Sequence, residues 1–170
     1  MNTTTQIDEV WTLLERLTDP EIPVISLREL GILREIRESV DGLEVIITPT
    51  YSGCPAMEQI EADVRSLLAE QGIAAKVTTR LSPAWTTDWM TDEGKEKLRQ
   101  YGIAPPVHKV SDVAVMKFMP RVTERKVEAV PCPQCGSQQT VESAHFGSTA
   151  CKALYRCLDC RETFDYFKPY

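Results

Sequence analysis

With 170 residues, 42% of them hydrophobic, the chain is long enough for one ordinary domain plus a small module. Its net charge of −6 is concentrated in residues 1–106, with 18 acidic and 10 basic side chains, while residues 131–170 hold four of each. That balance offers no footprint for a phosphate backbone and argues against nucleic acid as a partner. No apolar run approaches the roughly 18 residues of a membrane span, and no basic, apolar leader follows Met1, so the expected place is the cytoplasm and not a membrane. In that reducing compartment six cysteines read as metal ligands or reactive thiols rather than disulfides.

Ile7, Val10, Trp11, Leu14 and Leu17 recur at helical spacing and predict an amphipathic helix that stops before Asp19-Pro20. Ser26 and Glu29, three apart, fit a capping box for one short turn, which Gly31 ends in the left-handed conformation. Two strands, 32–40 and 43–48, flank Asp41-Gly42, the dipeptide that suits a tight hairpin. After Ser52-Gly53-Cys54-Pro55 the period returns to 3.6, with Met57, Ile60, Val64, Leu67 and Leu68 on one face and Gly72 at the end. Val77, Thr79 and Leu81 suggest a third strand, and a tryptophan-containing loop, 82–90, precedes a charged helix near Asp92–Tyr101. The order α-β-β-α-β-α predicts a two-layer α/β domain with one mixed sheet over residues 1–106. A connector follows at 107–130, with a short strand at Val113–Phe118, and then a small β module at 131–170.

That module carries the strongest chemical signal. Cys132-Pro133-Gln134-Cys135 and Cys157-Leu158-Asp159-Cys160 form two Cys-x-x-Cys pairs, whose four thiolates satisfy tetrahedral Zn²⁺ with no open position. A closed site is structural; a rubredoxin-like iron site and a redox dithiol are the alternatives. Two cysteines are left over. If Pro55 opens the central helix, Cys54 is its N-cap, where the helix dipole favours a nucleophilic, metal-binding thiolate; the alternative is a small side chain filling space beside Gly53. Cys151 lies beside Lys152, which could favour its thiolate, or is a buried loop cysteine; the run to Cys157 and Cys160 misses the plant-type ferredoxin spacing by one residue. Asp19 and Glu21 flank Pro20 in a turn that either shapes a metal site or caps backbone N–H groups. Trp85 and Trp89 either form an exposed patch for a partner or pack in the core. Two histidines are too few for a di-iron oxygenase, and no dinucleotide-binding or P-loop glycine pattern occurs, so no catalytic activity of its own is expected.

The segments Asp19-Pro20-Glu21-Ile22-Pro23, 49–56, 83–90 and 146–157 together resemble the PaaD family, the D subunits of phenylacetyl-CoA epoxidase systems. The Asp-Pro-Glu and Gly-Cys-Pro elements resemble the wider MIP18/DUF59 family. Such proteins often carry a cysteine after Phe-Lys, where this chain has Pro169-Tyr170. The resemblance implies an iron–sulfur-cluster-assembly fold with a C-terminal zinc ribbon, in a system that converts phenylacetyl-CoA to its ring epoxide in aerobic phenylacetate breakdown. Other chains there supply a di-iron oxygenase and a flavin/iron–sulfur reductase. It further implies a non-catalytic factor that matures a metal centre, with the epoxidase components, foremost the reductase, as partners. In that role Cys54 is the transient ligand of an iron–sulfur cluster, Cys151 a second thiolate, and Asp19 and Glu21 shape the site. The alternative is a stoichiometric structural or regulatory subunit that docks through Trp85 and Trp89. A homodimer stays open.

Overall fold

A computed structural model describes residues 3–40, 42–107 and 129–170, which divide into two units, Met1–Tyr101 with Tyr170 and Gly102–Pro169. In the first unit α1 (Thr3–Leu14) is followed by the hairpin β1 (Leu33–Ser39) and β2 (Gly42–Ile47). Next come α2 (Met57–Glu70), β3 (Ala75–Thr79) and α3 (Asp92–Tyr101), which is the α-β-β-α-β-α order expected from periodicity. The sheet runs β1-β2-β3, antiparallel and then parallel, so α2 supplies the crossover that a parallel pair requires. As the central strand, β2 has Leu43, Glu44, Val45, Ile46 and Ile47 all buried, the near-continuous run expected of a strand covered on both faces. Helix α2 turns Ile60, Val64 and Leu68 inward, and α1 adds Val10 and Leu14. Ser39 pairs with Gly42, one residue earlier than a turn centred on Asp41-Gly42 would place the strands; Asp41 itself lies outside the described residues. The third strand ends at Thr79, and Leu81, expected to continue it, is 59% exposed.

The segment from Asp19 to Gly31 is irregular yet tightly held. Asp19 Oδ1 accepts the N–H groups of Glu21 and Ile22, both at 2.9 Å. The capping box forms reciprocally: Ser26 N–H donates to Glu29 Oε2 at 2.9 Å and Glu29 N–H to Ser26 Oγ at 3.1 Å. Gly31 closes this turn at φ +77°, where a Cβ would also lie only 2.7 Å from the Trp89 carbonyl oxygen. Helix α3 is capped by Thr91, whose hydroxyl accepts the Gly94 N–H at 3.0 Å.

The second unit is a four-stranded sheet in the order β4-β7-β6-β5, from β4 (Ile103–Ala104), β5 (Thr140–Ala144), β6 (Lys152–Cys157) and β7 (Thr163–Phe167). Residues 102–106, expected to close the first domain at Gly102 and Pro105-Pro106, fall in this unit, where Ile103 and Ala104 pair in parallel with Asp165 and Tyr166. The strand expected at Val113–Phe118 lies outside the described residues. The core here is small: Ala104, Val130, Ala153, Tyr155, Phe164 and Tyr166 surround the buried Cys132 and Cys157. Tyr155 stacks edge-on against Tyr166 at 5.3 Å between ring centroids. None of the described helices is long and apolar enough to cross a membrane.

Candidate metal centre and the remaining cysteines

Each Cys-x-x-Cys pair sits on a tight reverse turn that the backbone enforces. In the first, Cys132 N–H donates to the Ser137 carbonyl and Gly136 N–H to that of Cys132, both at 2.9 Å, with Gly136 at φ +75°. In the second, Cys157 N–H donates to the Glu162 carbonyl at 2.9 Å across the left-handed Arg161. The Ser137 hydroxyl hydrogen-bonds the Asp159 carboxylate and ties the two turns together. The four Sγ atoms of Cys132, Cys135, Cys157 and Cys160 lie within 4.8 Å of one another. Cys132 and Cys160 are 3.7 Å apart, and Cys135 and Cys157 3.6 Å. A tetrahedron with metal–sulfur bonds of about 2.3 Å has edges of about 3.8 Å, which the Cys132–Cys160 and Cys135–Cys157 separations match.

Electrostatics agree. Backbone N–H groups, first that of Cys160 and then that of Asp159, draw the Cys157 thiol down to about 7. Cys160 accepts a backbone bond from Glu162 that favours its thiolate, yet burial and the neighbouring thiols push it up to about 12. Cys135 is raised as well, its own backbone bond from Ser137 being outweighed by burial and by Cys157. Of Cys135, Cys157 and Cys160, only Cys157 is drawn down, because crowded thiolates repel. A divalent cation held by Cys132, Cys135, Cys157 and Cys160 would offset that repulsion and favour the thiolate form of all four.

The two surplus cysteines lie outside this cluster. Cys54 is half-buried in a turn ahead of α2, and the expectation that it caps the helix is corrected: the helix begins at Met57 with Ala56 at the cap position and no side-chain cap. Pro55 is spent in the turn, where the Cys54 N–H reaches the Tyr51 carbonyl at 3.2 Å and the Cys54 carbonyl accepts the Met57 N–H at 3.4 Å. Dipole effects fade within the first turn, so that argument for an activated Cys54 thiolate weakens. Cys151 is 5% exposed in the second unit, with the Thr149 hydroxyl 3.0 Å from its sulfur. Its neighbour Lys152 faces Asp165 at 3.4 Å instead, so the lysine charge is shared with a carboxylate.

The acidic turn is brought into the structure as a cap. Asp19 is buried at 5% exposure and its carboxylate holds the 19–22 backbone, while Glu21 is half-buried beside it. The tryptophans separate in fate. Trp85 is 4% exposed and its indole N–H donates to the Leu30 carbonyl at 3.0 Å, so the exposed-patch expectation fails for it. Trp89 is half-buried and stacked under the Arg34 guanidinium, 3.6 Å from the ring centroid. Beside that stack opens a cleft of about 320 Å³ lined by Arg34, Glu35, Thr48, Arg80, Pro83 and Trp89. Sequence reasoning missed it; Arg34 and Trp89 lie far apart in the chain, and no local motif joins them.

Comparison with known proteins adds family context. Residues 7–79 match the family model described as iron–sulfur cluster assembly protein, and residues 119–168 that described as PaaD zinc beta ribbon domain. An Escherichia coli (strain K12) protein, provisionally named as the D subunit of 1,2-phenylacetyl-CoA epoxidase, is 44% identical over 96% of this chain and 93% of its own length. An Fe-S protein maturation auxiliary factor of Porphyromonas gingivalis (strain W83) is 31% identical over 54% of this chain and 89% of its own. The crystal structure of a DUF59 domain from Bacillus anthracis superimposes with a TM-score of 0.52 at 23% identity, covering 57% of this chain and 97% of that one, which shows a shared fold.

Proposed function

Because this chain belongs to the family of 1,2-phenylacetyl-CoA epoxidase D subunits, we propose that it is a non-catalytic maturation factor of such an epoxidase system, helping to install or repair an iron–sulfur centre of the reductase. The observation that carries this reading is the first unit: its match to iron–sulfur cluster assembly proteins and its likeness to a maturation auxiliary factor coincide with the assembly-type α/β fold. In this reading an iron–sulfur cluster is cargo. Cys54, half-buried in an irregular turn, is its transient ligand, and Asp19, whose carboxylate holds the Glu21 and Ile22 N–H groups, shapes the site together with Glu21. Cys151 is a second thiolate of smaller weight, since it must be uncovered to bind metal. The ribbon holds one structural Zn²⁺, consistent with its closed thiol tetrad and its family description.

A deletion strain tests the reading. Reductase purified from cells lacking this chain should be deficient in iron and sulfide, and re-expression of the chain should restore both. Reductase fully loaded without it would end the maturation role. The relative's name, which makes it a subunit, favours a second reading in which the chain stays in the finished complex. Co-purification separates the two: a maturation factor leaves the active epoxidase, and a subunit remains at fixed stoichiometry.

A further inference from the structure

The ionic side chains around the cleft do not balance. Glu44 takes Arg37, at 2.7 Å, and Glu35 takes Arg80, at 3.2 Å, with Arg37 a distant 3.8 Å. Arg34 makes no ion pair among the described residues: its contact is the Trp89 ring, and Glu35, which lines the same cleft, is paired with Arg80. Burial alone acts on its guanidinium, pulling it below the ordinary arginine value with no neighbouring anion to raise it. Arginine nevertheless stays protonated at neutral pH, so among the described residues the cleft carries one uncompensated, partly desolvated positive charge. A ring stacked on the guanidinium face leaves the in-plane N–H groups for a forked contact, the geometry that a carboxylate matches.

We infer that this cleft is a binding site for a carboxylate monoanion with a flat apolar body, the carboxylate seated on Arg34 and the body lying along Trp89 and Pro83. The charge argues for a monoanion: Arg34 and Arg80 against Glu35 leave a single positive charge, which a phosphate dianion would overfill. The volume, about 320 Å³, is at the small end of ligand pockets and suits a group of this size. Trp89 and Pro83 offer flat apolar surfaces, and buried Thr48 completes the lining. The inference does not rest on the maturation role, because it concerns the uncompensated charge alone. Two sources carry such chemistry: a free arylcarboxylate and the terminal carboxylate of a peptide that ends in an aromatic residue.

Titration of the full chain followed by the Trp89 indole N–H resonance tests the site, with phenylacetate and N-acetylphenylalanine as probes and their amides as neutral counterparts. At least one carboxylate should shift that resonance saturably in the millimolar range or below, and its amide should bind at least about tenfold more weakly. The tighter of the two carboxylates identifies the source. Arg34→Gln should weaken binding about tenfold or more, and Arg34→Lys, which keeps the charge but loses the fork, by less. The Trp85 indole signal, anchored on Leu30, reports that each variant is folded. If neither carboxylate titrates, if the amides bind equally well, or if both folded variants keep wild-type affinity, the assignment is wrong. Should Arg34→Gln fail to fold, the comparison of acid with amide on the native chain still decides it.

Discussion

The two units reach a folded state by different means. The first buries aliphatic side chains on both faces of β2, among them Ile25, Leu30, Ile32, Val45, Ile46, Ile47, Ile60, Val64 and Leu68, each at most 1% exposed. Among the described residues of the second, the buried cluster of Ala104, Val130, Ala153, Tyr155, Phe164 and Tyr166 closes around Cys132 and Cys157, which are themselves candidate metal ligands. With candidate ligands forming part of that cluster, a bound metal is expected to contribute a large share of this unit's folding free energy. In the proposed reading stability and chemistry are divided: the first unit rests on its apolar core and carries Cys54 in an irregular turn, whereas Cys132, Cys135, Cys157 and Cys160 of the ribbon hold a structural metal and Cys151 lies outside that tetrad.

The largest expected effect follows from that contrast. Chelation, or Cys135→Ser, should unfold the ribbon while the first unit keeps its NMR signals, since structural zinc is worth about 10–16 kcal/mol in small modules. A metal-free ribbon with intact β5, β6 and β7 resonances would erase the distinction. The reverse break is Leu68→Ala in α2, which is 1% exposed and should cost the first unit about 2–5 kcal/mol in denaturant midpoint analysis. Metal content at the tetrad should not change. Asp19→Ala should cost less, about 1–3 kcal/mol, because the Glu21 N–H loses its carboxylate acceptor and the Ile22 N–H keeps only the Asp19 carbonyl at 3.2 Å.

Acid should strike the two units by different routes. Burial pushes Glu29 up, but the hydrogen bonds from Lys97 and Ser26 outweigh it and hold the carboxyl below its ordinary value of 4.5. A lowered folded-state value means that the contribution is complete above the ordinary value and is lost as pH falls through the lowered one. Glu29→Gln should therefore flatten the acid dependence of the first unit below about pH 4.5 without affecting the ribbon. The ribbon should instead lose stability in acid as protons compete for its thiolates, with metal release as the readout. An unchanged acid slope in Glu29→Gln would show that the capping box contributes nothing to it.

What was legible in the sequence was what is decided locally. The Ser26/Glu29 box, the left-handed Gly31 and the two Cys-x-x-Cys turns depend on residues a few positions apart, and each appears as read. Central helix α2 was legible through its period, but its start was not, because a proline suits the second position of a turn as well as the first of a helix. The tryptophan loop was undecidable from sequence: Trp85 is buried because Leu30, 55 residues away, offers a carbonyl, and Trp89 is covered because Gly31 lets it approach. The Arg34 cleft was invisible for the same reason.

The most direct test of the division between a chemical first unit and a structural ribbon is the iron content of the reductase from cells in which this chain carries Cys54→Ser, with the metal content of the variant's own ribbon measured alongside. The account predicts an iron-poor, inactive reductase and a fully metallated, folded variant. Wild-type iron content and activity in the reductase would contradict it, reducing Cys54 to packing and leaving the first unit without the chemistry assigned to it.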